Sequence, residues 1–260
     1  TNDMTITIEN KIAIVTGAGS GIGRAVALAL LEEKVNVYLV GRTKKKINNT
    51  KNIALNNGYQ GKAITFKGDV SKEANIKRLL FDVEKKYKRI DLLFNNAGIG
   101  SKASSIDKIS YTDWKKVMNI NINGMFLCAK YSYALMKKQK PKGGRIINNG
   151  SIAAFSPRPG TAPYTTSKHA ISGLTKSISL DGRADKIICS QIDIGNAGTQ
   201  LTKLFKKGVV QPNGEKMAEP IMDVKDVANT IIHIFKLPLN TNILSTTIID
   251  RKSTRLNSSH

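Results

Sequence analysis

Apolar residues follow two rhythms along this chain. Short, nearly continuous apolar runs occur at Lys11–Thr16, Val35–Val40, Ile64–Gly68, Ile90–Asn95, Arg145–Asn148 and Ile187–Ile194, with a last one at Thr241–Ile249. Runs of this length, many of them rich in Val and Ile, suit strands buried on both faces. Between them lie longer segments whose apolar residues recur at helical spacing. Gly23–Glu33 carries Ala25, Ala27, Leu28 and Leu31 on its inner side. Thr112-Asp113 can cap a long helix that continues to about Lys138, and Ala162–Asp181 and Asp223–Phe235 read as further helices. Strand and helix in alternation predict the α/β class: one doubly wound parallel sheet flanked by helices, with right-handed crossovers. No Pro/Gly-rich linker, repeat or low-complexity block divides the chain, so residues 1–249 read as a single domain.

Composition changes this picture little. The 260 residues, 40% of them apolar, are enough for one substantial core. The longest apolar run in the first half, Ala25–Leu31, is far short of a membrane span. Thr1–Met4 shows no basic region followed by an apolar stretch, so no secretory signal is read; Met4 is the expected initiator, with Thr1–Asp3 as upstream read-through. Cys128 and Cys189 sit in apolar surroundings without metal-ligand spacing, which predicts reduced thiols in a cytoplasmic protein and no metal site. The net charge of +22 could mark nucleic-acid binding. The lysines are dispersed, however, and Lys, Asn and Ile share A/T-rich codons, so genome composition accounts for the bias. Neither a nucleic-acid nor a membrane partner is expected. Asp250–His260 matches the in-frame translation of a common sequencing adapter and is read as a non-native tail in place of the native C-terminus.

The first chemistry lies where the first strand meets the first helix, at Thr16-Gly17-Ala18-Gly19-Ser20-Gly21-Ile22-Gly23. Glycines permit positive φ and close backbone approach, so amides at the helix start can face a pyrophosphate. The spacing T-G-x-x-x-G-x-G differs from the general G-x-G-x-x-G fingerprint, and such a turn can also be purely structural. The end of the second strand bears on the cofactor. An NAD-type site places an acidic residue there for the ribose hydroxyls. This chain has Gly41-Arg42-Thr43, and a guanidinium pairs instead with a 2′-phosphate. NADP(H) is therefore expected over NAD(H), with Arg42 and Thr43 as its determinants and Lys44 in support.

Tyr164-Thr-Thr-Ser-Lys168 places a phenol and an ammonium on one helix face. A free tyrosine, with a pKa of about 10, is a poor base near neutrality, and a neighbouring positive charge favours its phenolate. Alone the pair is weak evidence. Ser151 stands thirteen residues before Tyr164, just after a strand; Asn121 lies in Asn119-Ile-Asn-Ile-Asn-Gly124; and Asn95-Asn-Ala-Gly98 follows the fourth strand. With these residues in order, the chain resembles the short-chain dehydrogenase/reductase superfamily from about Asn10 to Ile249.

The resemblance implies a Rossmann-like fold and a set of roles. Tyr164 would exchange the proton of the carbonyl or alcohol, and Ser151 would hydrogen-bond the same oxygen. Lys168 would hold the nicotinamide ribose and tune Tyr164, while Asn121 would position a relay water. Asp69 and Val70 would contact the adenine. Asn95, Ala97 and Gly98 would line the cofactor cleft, and Thr199 would sit by the nicotinamide amide. The substrate would be a small carbonyl or alcohol, and the assembly a homodimer or homotetramer. Two positions depart from the family pattern: Ile194-Gly195-Asn196-Ala197 stands where Pro-Gly is common, and Gly150 where serine is common. The first matches a subgroup with Ile-Asp-Ile-Gly-Asn-Ala. An NADPH-dependent reductase of a ketone or 3-oxoacyl thioester is the leading expectation. An NAD(P)-dependent alcohol or sugar dehydrogenase and a non-catalytic NADPH-binding regulator stand beside it. His169 is expected to face away from the site, and Trp114 to serve packing.

Overall fold

The computed structural model describes residues 7–198, 209–210 and 216–252. Seven strands form one parallel sheet in the order β3-β2-β1-β4-β5-β6-β9. They are β1 (Ile12–Thr16), β2 (Asn36–Gly41), β3 (Ala63–Lys67), β4 (Leu92–Asn95), β5 (Gly144–Asn149), β6 (Ile187–Ile194) and β9 (Ser245–Ile248). A two-residue antiparallel ribbon, β7 (Val209–Val210) with β8 (Lys216–Met217), lies apart from it. The helices are α1 (Gly21–Glu32), α2 (Lys44–Asn56), α3 (Glu73–Tyr87), α4 (Tyr111–Met118), α5 (Gly124–Lys138), α6 (Ala162–Asp181) and α7 (Val224–Lys236).

The strands are apolar throughout because both faces are covered. In β1, Ala13 and Val15 face a core with Val26, Ala27, Leu30 and Leu31 of α1 and Val227 and Ile231 of α7. Ile12 and Ile14 point the other way, toward Ile76, Leu79 and Val83 of α3 and Cys128 and Met136 of α5. Successive side chains alternate across a strand, so one run supplies two cores. Burial also pushes the Cys128 and Cys189 thiols up to about 12, which keeps them protonated.

Several local features differ from the sequence reading: in α1 the buried face carries Val26, Ala27, Leu30 and Leu31, with the expected Ala25 and Leu28 only partly buried. Helices α2 and α3 were not singled out by periodicity. In α2 only Ile47, Thr50 and Ala54 are buried, too narrow a stripe to stand out among lysines and asparagines. The long helix expected from Thr112-Asp113 starts instead after Ser110, whose Oγ accepts from the Asp113 amide at 3.1 Å. It is then broken into α4 and α5 by a π-helical turn at Asn119–Asn123, the kind of irregularity that often sits at a functional site. The last strand is shorter than expected, four residues rather than the whole of Thr241–Ile249.

The strand order reverses between β1 and β4, and the crevice at the carboxyl ends of the strands opens there, the general place for ligands in such sheets. Among the described residues, no helix is long and apolar enough to cross a membrane, and no cluster of His, Cys, Asp or Glu is arranged to hold a metal ion.

Candidate active site

A cleft of about 1080 Å³ runs across this reversal point. One of its walls is main chain. Gly17, Gly19, Ser20, Gly21, Ile22 and Gly23 line it between β1 and α1, with Gly17 and Gly21 at φ of 70° and 53°. The packing there leaves no room for side chains. A Cβ at Gly23 would lie 2.3 Å from the Gly17 carbonyl oxygen, and one at Gly17 2.9 Å from Asn96 Nδ2. The Ser20 side chain caps no amide of α1, and the helix has no acidic residue in its first turn. A tight glycine cradle at an uncapped helix start fits the pyrophosphate of a dinucleotide.

The turn is braced from behind by residues that the sequence reading did not single out. Arg24 donates through Nη2 to the Gly19 carbonyl and through Nε to Thr50 Oγ1 at 3.1 Å. Thr50 in turn donates to the Ala18 carbonyl at 2.8 Å. Thr16 was expected at the cofactor, but it is fully buried behind the wall. Its Oγ1 accepts from the amides of Asn96 and Ala97, both at 2.9 Å, which pins the loop after β4 to the end of β1.

Arg42 and Thr43 line the cleft at the end of β2, exposed, with Lys46 of α2 beside them. Asp69 and Val70 line it from the end of β3, and Asp69 Oδ1 accepts from the amide and hydroxyl of Ser71 at 3.0 and 2.7 Å. Ala97 and Gly98 line it too. Asn95 does not: it is buried, and its Nδ2 donates to the Met125 carbonyl and to Asn148 Oδ1 at 2.8 and 3.2 Å. Its place at the last position of β4 turns its side chain into the layer beneath the cleft. Thr199 lies outside the described residues.

The opposite wall carries side chains. Ser151, Tyr164 and Lys168 all line it. Ser151 follows the end of β5, and its Oγ accepts from the Ala153 amide at 3.1 Å, leaving its O–H to donate. Tyr164 and Lys168 stand on one face of α6, with Lys168 Nζ 5.6 Å from the centroid of the Tyr164 ring. The Lys168 ammonium donates to the Asn149 carbonyl at 2.8 Å and is 5% exposed, a buried cation held by one main-chain acceptor. Asn121 sits on the π-helical turn. Its Oδ1 accepts from the Ile99 amide at 2.8 Å, and its Nδ2 donates to the Ile99 carbonyl and to Ser167 Oγ at 2.9 and 3.0 Å. Asn121 is thereby joined to α6 one residue before Lys168. His169 is exposed, and its Nδ1 lies 2.9 Å from the Thr165 carbonyl, away from this wall.

Beneath Ser151 lies a buried group that sequence reading missed. Asp193, near the end of β6, is fully buried, and its Oδ1 accepts from the Ser151 amide at 2.9 Å. Its only sequence signal was the unusual Ile-Asp-Ile-Gly-Asn-Ala stretch.

Comparison with known proteins gives a consistent result. The model of the short chain dehydrogenase family matches residues 11–209. The chain is 36% identical over 195 residues to a 3beta-hydroxysteroid dehydrogenase of Mediterraneibacter gnavus, covering 75% of this chain and 69% of that protein. It is 34% identical over 196 residues to a 3-oxoacyl-[acyl-carrier-protein] reductase of Synechocystis, covering 74% and 76%. In fold it is similar to the crystal structure of a 3-ketoacyl-(acyl-carrier-protein) reductase from Brucella melitensis complexed with NADH. The TM-score is 0.80 at 24% identity, covering 93% of this chain and 97% of that one.

Proposed function

The chain belongs to the short-chain dehydrogenase family of oxidoreductases, and from that premise we propose that it is an NADPH-dependent reductase of a ketone or 3-oxoacyl carbonyl, with Tyr164 as its acid/base. The observation that carries this reading is the common cleft: Ser151, Tyr164 and Lys168 share it with the glycine cradle and Arg42. A nucleotide seated on the cradle would have its reactive end directed to these side chains.

When bound, the nicotinamide cofactor supplies the hydride. The chain's own residues manage the oxygen. The Tyr164 phenol gives its proton to the carbonyl oxygen as that oxygen gains negative charge. Ser151 donates a hydrogen bond to the same oxygen from the other side. The Lys168 cation, buried and close to the ring, stabilises the phenolate that remains. Asn121 holds the loop at Ile99 to α6, with both Nδ2 protons committed to Ile99 and Ser167, so the water proposed to return a proton to Tyr164 would meet Asn121 at an oxygen. Arg42 and Thr43 would take the 2′-phosphate, since no carboxylate stands at Gly41-Arg42-Thr43. The activities of these two relatives, on a hydroxysteroid and on a 3-oxoacyl carrier protein, suit a ketone-sized substrate space. A cytoplasmic homodimer or homotetramer completes the proposal.

The test is a fluorescence titration of the protein with NADPH and NADH side by side, followed by turnover with acetoacetyl-coenzyme A and a 3-oxosteroid. NADPH should bind at least about 10-fold tighter than NADH, and Arg42→Asp should weaken NADPH binding roughly 10- to 100-fold. Tyr164→Phe should keep NADPH binding and lose turnover by at least about 1000-fold. Preferential NADH binding would reassign the cofactor and move oxidative alcohol or sugar substrates to the front. Substantial turnover by Tyr164→Phe would refute the acid/base assignment.

A further inference from the structure

Gly150 stands out in the sequence and Asp193 does not, but in the fold the two positions are a single contact. A Cβ at position 150 would lie 2.0 Å from Asp193 Oδ1 and 3.1 Å from its Cγ. Any side chain there excludes the carboxylate from its position. The carboxylate, in turn, is held on several sides. Its Oδ1 accepts from the Ser151 amide at 2.9 Å and from Gln191 Nε2 at 2.8 Å, and its Oδ2 from Gln191 Nε2 at 3.0 Å. Gln191 Nε2 is itself 3.1 Å from Ser172 Oγ on α6. Burial holds this carboxyl above the usual carboxylate range, and those hydrogen bonds and the charge of Lys168 act against the shift.

The Ser151 amide is therefore anchored to β6 by a side chain, in addition to its own strand. That anchor acts on the residue whose hydroxyl must point at the reacting oxygen, and a displacement of about 1 Å there costs turnover far more than binding. We propose that Asp193 is a positioning residue for Ser151, and that Gly150 is its obligate partner because it vacates the space the carboxylate occupies. The inference rests on the assignment of Ser151 to the reacting oxygen. Asp193 acts through the Ser151 backbone and touches neither substrate nor cofactor.

The test compares Asp193→Ala, Asp193→Asn and Gly150→Ala with the parent, using acetoacetyl-coenzyme A as the kinetic probe and NADPH fluorescence for binding. Asp193→Ala removes the acceptor, and kcat should fall at least about 10-fold, with NADPH affinity within about twofold of the parent. Asp193→Asn keeps an oxygen facing the Ser151 amide, and Gln191 can rotate its amide to match, so at least about a third of kcat should remain. Gly150→Ala should act like Asp193→Ala, and adding it to Asp193→Ala should cost little more, because both break one contact.

Asp193→Ala with kcat within about threefold of the parent would overturn the proposal, as would Asp193→Asn falling as far as Asp193→Ala. If Asp193→Ala does not fold, Asp193→Ser replaces it with the same expectation, since its hydroxyl stops a bond short of the Ser151 amide. Tyr164→Phe is measured alongside: turnover there refutes the reading of the site, whatever Asp193 does. If the parent does not turn over acetoacetyl-coenzyme A, that substrate class fails, and the amide proton resonance of Ser151 in the NADPH complex decides for Asp193. It should move upfield in Asp193→Ala and stay close to the parent in Asp193→Asn; no movement in either refutes the anchor.

Discussion

On the β1–α1 side of the cleft the surface is main chain brought close to main chain, whereas on the β5–α6–β6 side it is a mesh of buried polar side chains. The first wall needs the absence of atoms: Gly23 is packed so that its missing Cβ would fall 2.3 Å from the Gly17 carbonyl oxygen. The second needs particular atoms in particular places. Asn95 donates to Asn148 at 3.2 Å, Asn148 to Thr175 Oγ1 at 3.0 Å, and Lys168 to the Asn149 carbonyl at 2.8 Å. A backbone cradle suits a ligand part common to every turnover, the phosphates. A side-chain mesh suits the reacting oxygen, where donors must hold one direction while charge develops.

The sharpest way to break the first wall is Gly23→Ala. The nearest contact is with the Gly17 backbone, which cannot swing aside, and Asn96 Nδ2, held by the Thr16 carbonyl, lies beside it; overpacking of this kind costs on the order of 3 kcal/mol. NADPH and NADH affinity should both fall at least about 100-fold. An alanine variant that binds within about threefold of the parent would show that the cradle has slack.

The second wall should fail differently. Asn148→Ala deletes the acceptor of one Asn95 N–H and the donor to Thr175, all buried, and leaves a polar hole. Urea unfolding should show a loss of about 2 kcal/mol, while NADPH affinity stays within about twofold. A loss of cofactor binding without a loss of stability would contradict the division between the walls.

The same division explains what could be read from the sequence. Glycines spaced as in Thr16–Gly23 carry a backbone requirement that shows as composition, so that wall was legible. Tyr164 and Lys168 were legible because a helix fixes which residues share a face. The buried mesh was not. Asn95 and Thr16 occur in the right order for the cleft, yet both face the layer beneath it, and one residue along a strand end decides which way a side chain points. Asn121 was placed on an ordinary helix, and the π-helical turn that aims it at Ile99 leaves no mark in periodicity. Gly150 was noticed as a departure, Asp193 only as one letter of Ile-Asp-Ile-Gly-Asn-Ala; they lie 43 positions apart, and only the fold shows that the first is empty because the second is there.

The smallest expected effect sharpens the comparison most, because it separates what the buried mesh does for stability from what it does for geometry. The Asp193 carboxyl is raised chiefly by burial, and Lys168 is the charged group that acts on it; Gln191 and the Ser151 amide contribute neutral donors. An acid whose folded pKa exceeds its unfolded value, about 3.9, binds its proton more tightly when folded. Its contribution to stability is then fully present below the unfolded value and is lost as pH rises through the folded one. Asp193→Asn removes that titration while keeping an acceptor for Ser151. At pH 8 the variant should melt about 2 °C or more above the parent, and the gap should narrow as pH falls toward about 4. A gap that widens at low pH would mean the carboxylate is held favourably in its ionised form, and burial would not be the dominant influence on it. If the gap narrows as expected while turnover stays near the parent's, the two measurements together assign Asp193 a geometric role: the fold tolerates an unfavourable buried acid because its oxygen faces the amide of Ser151.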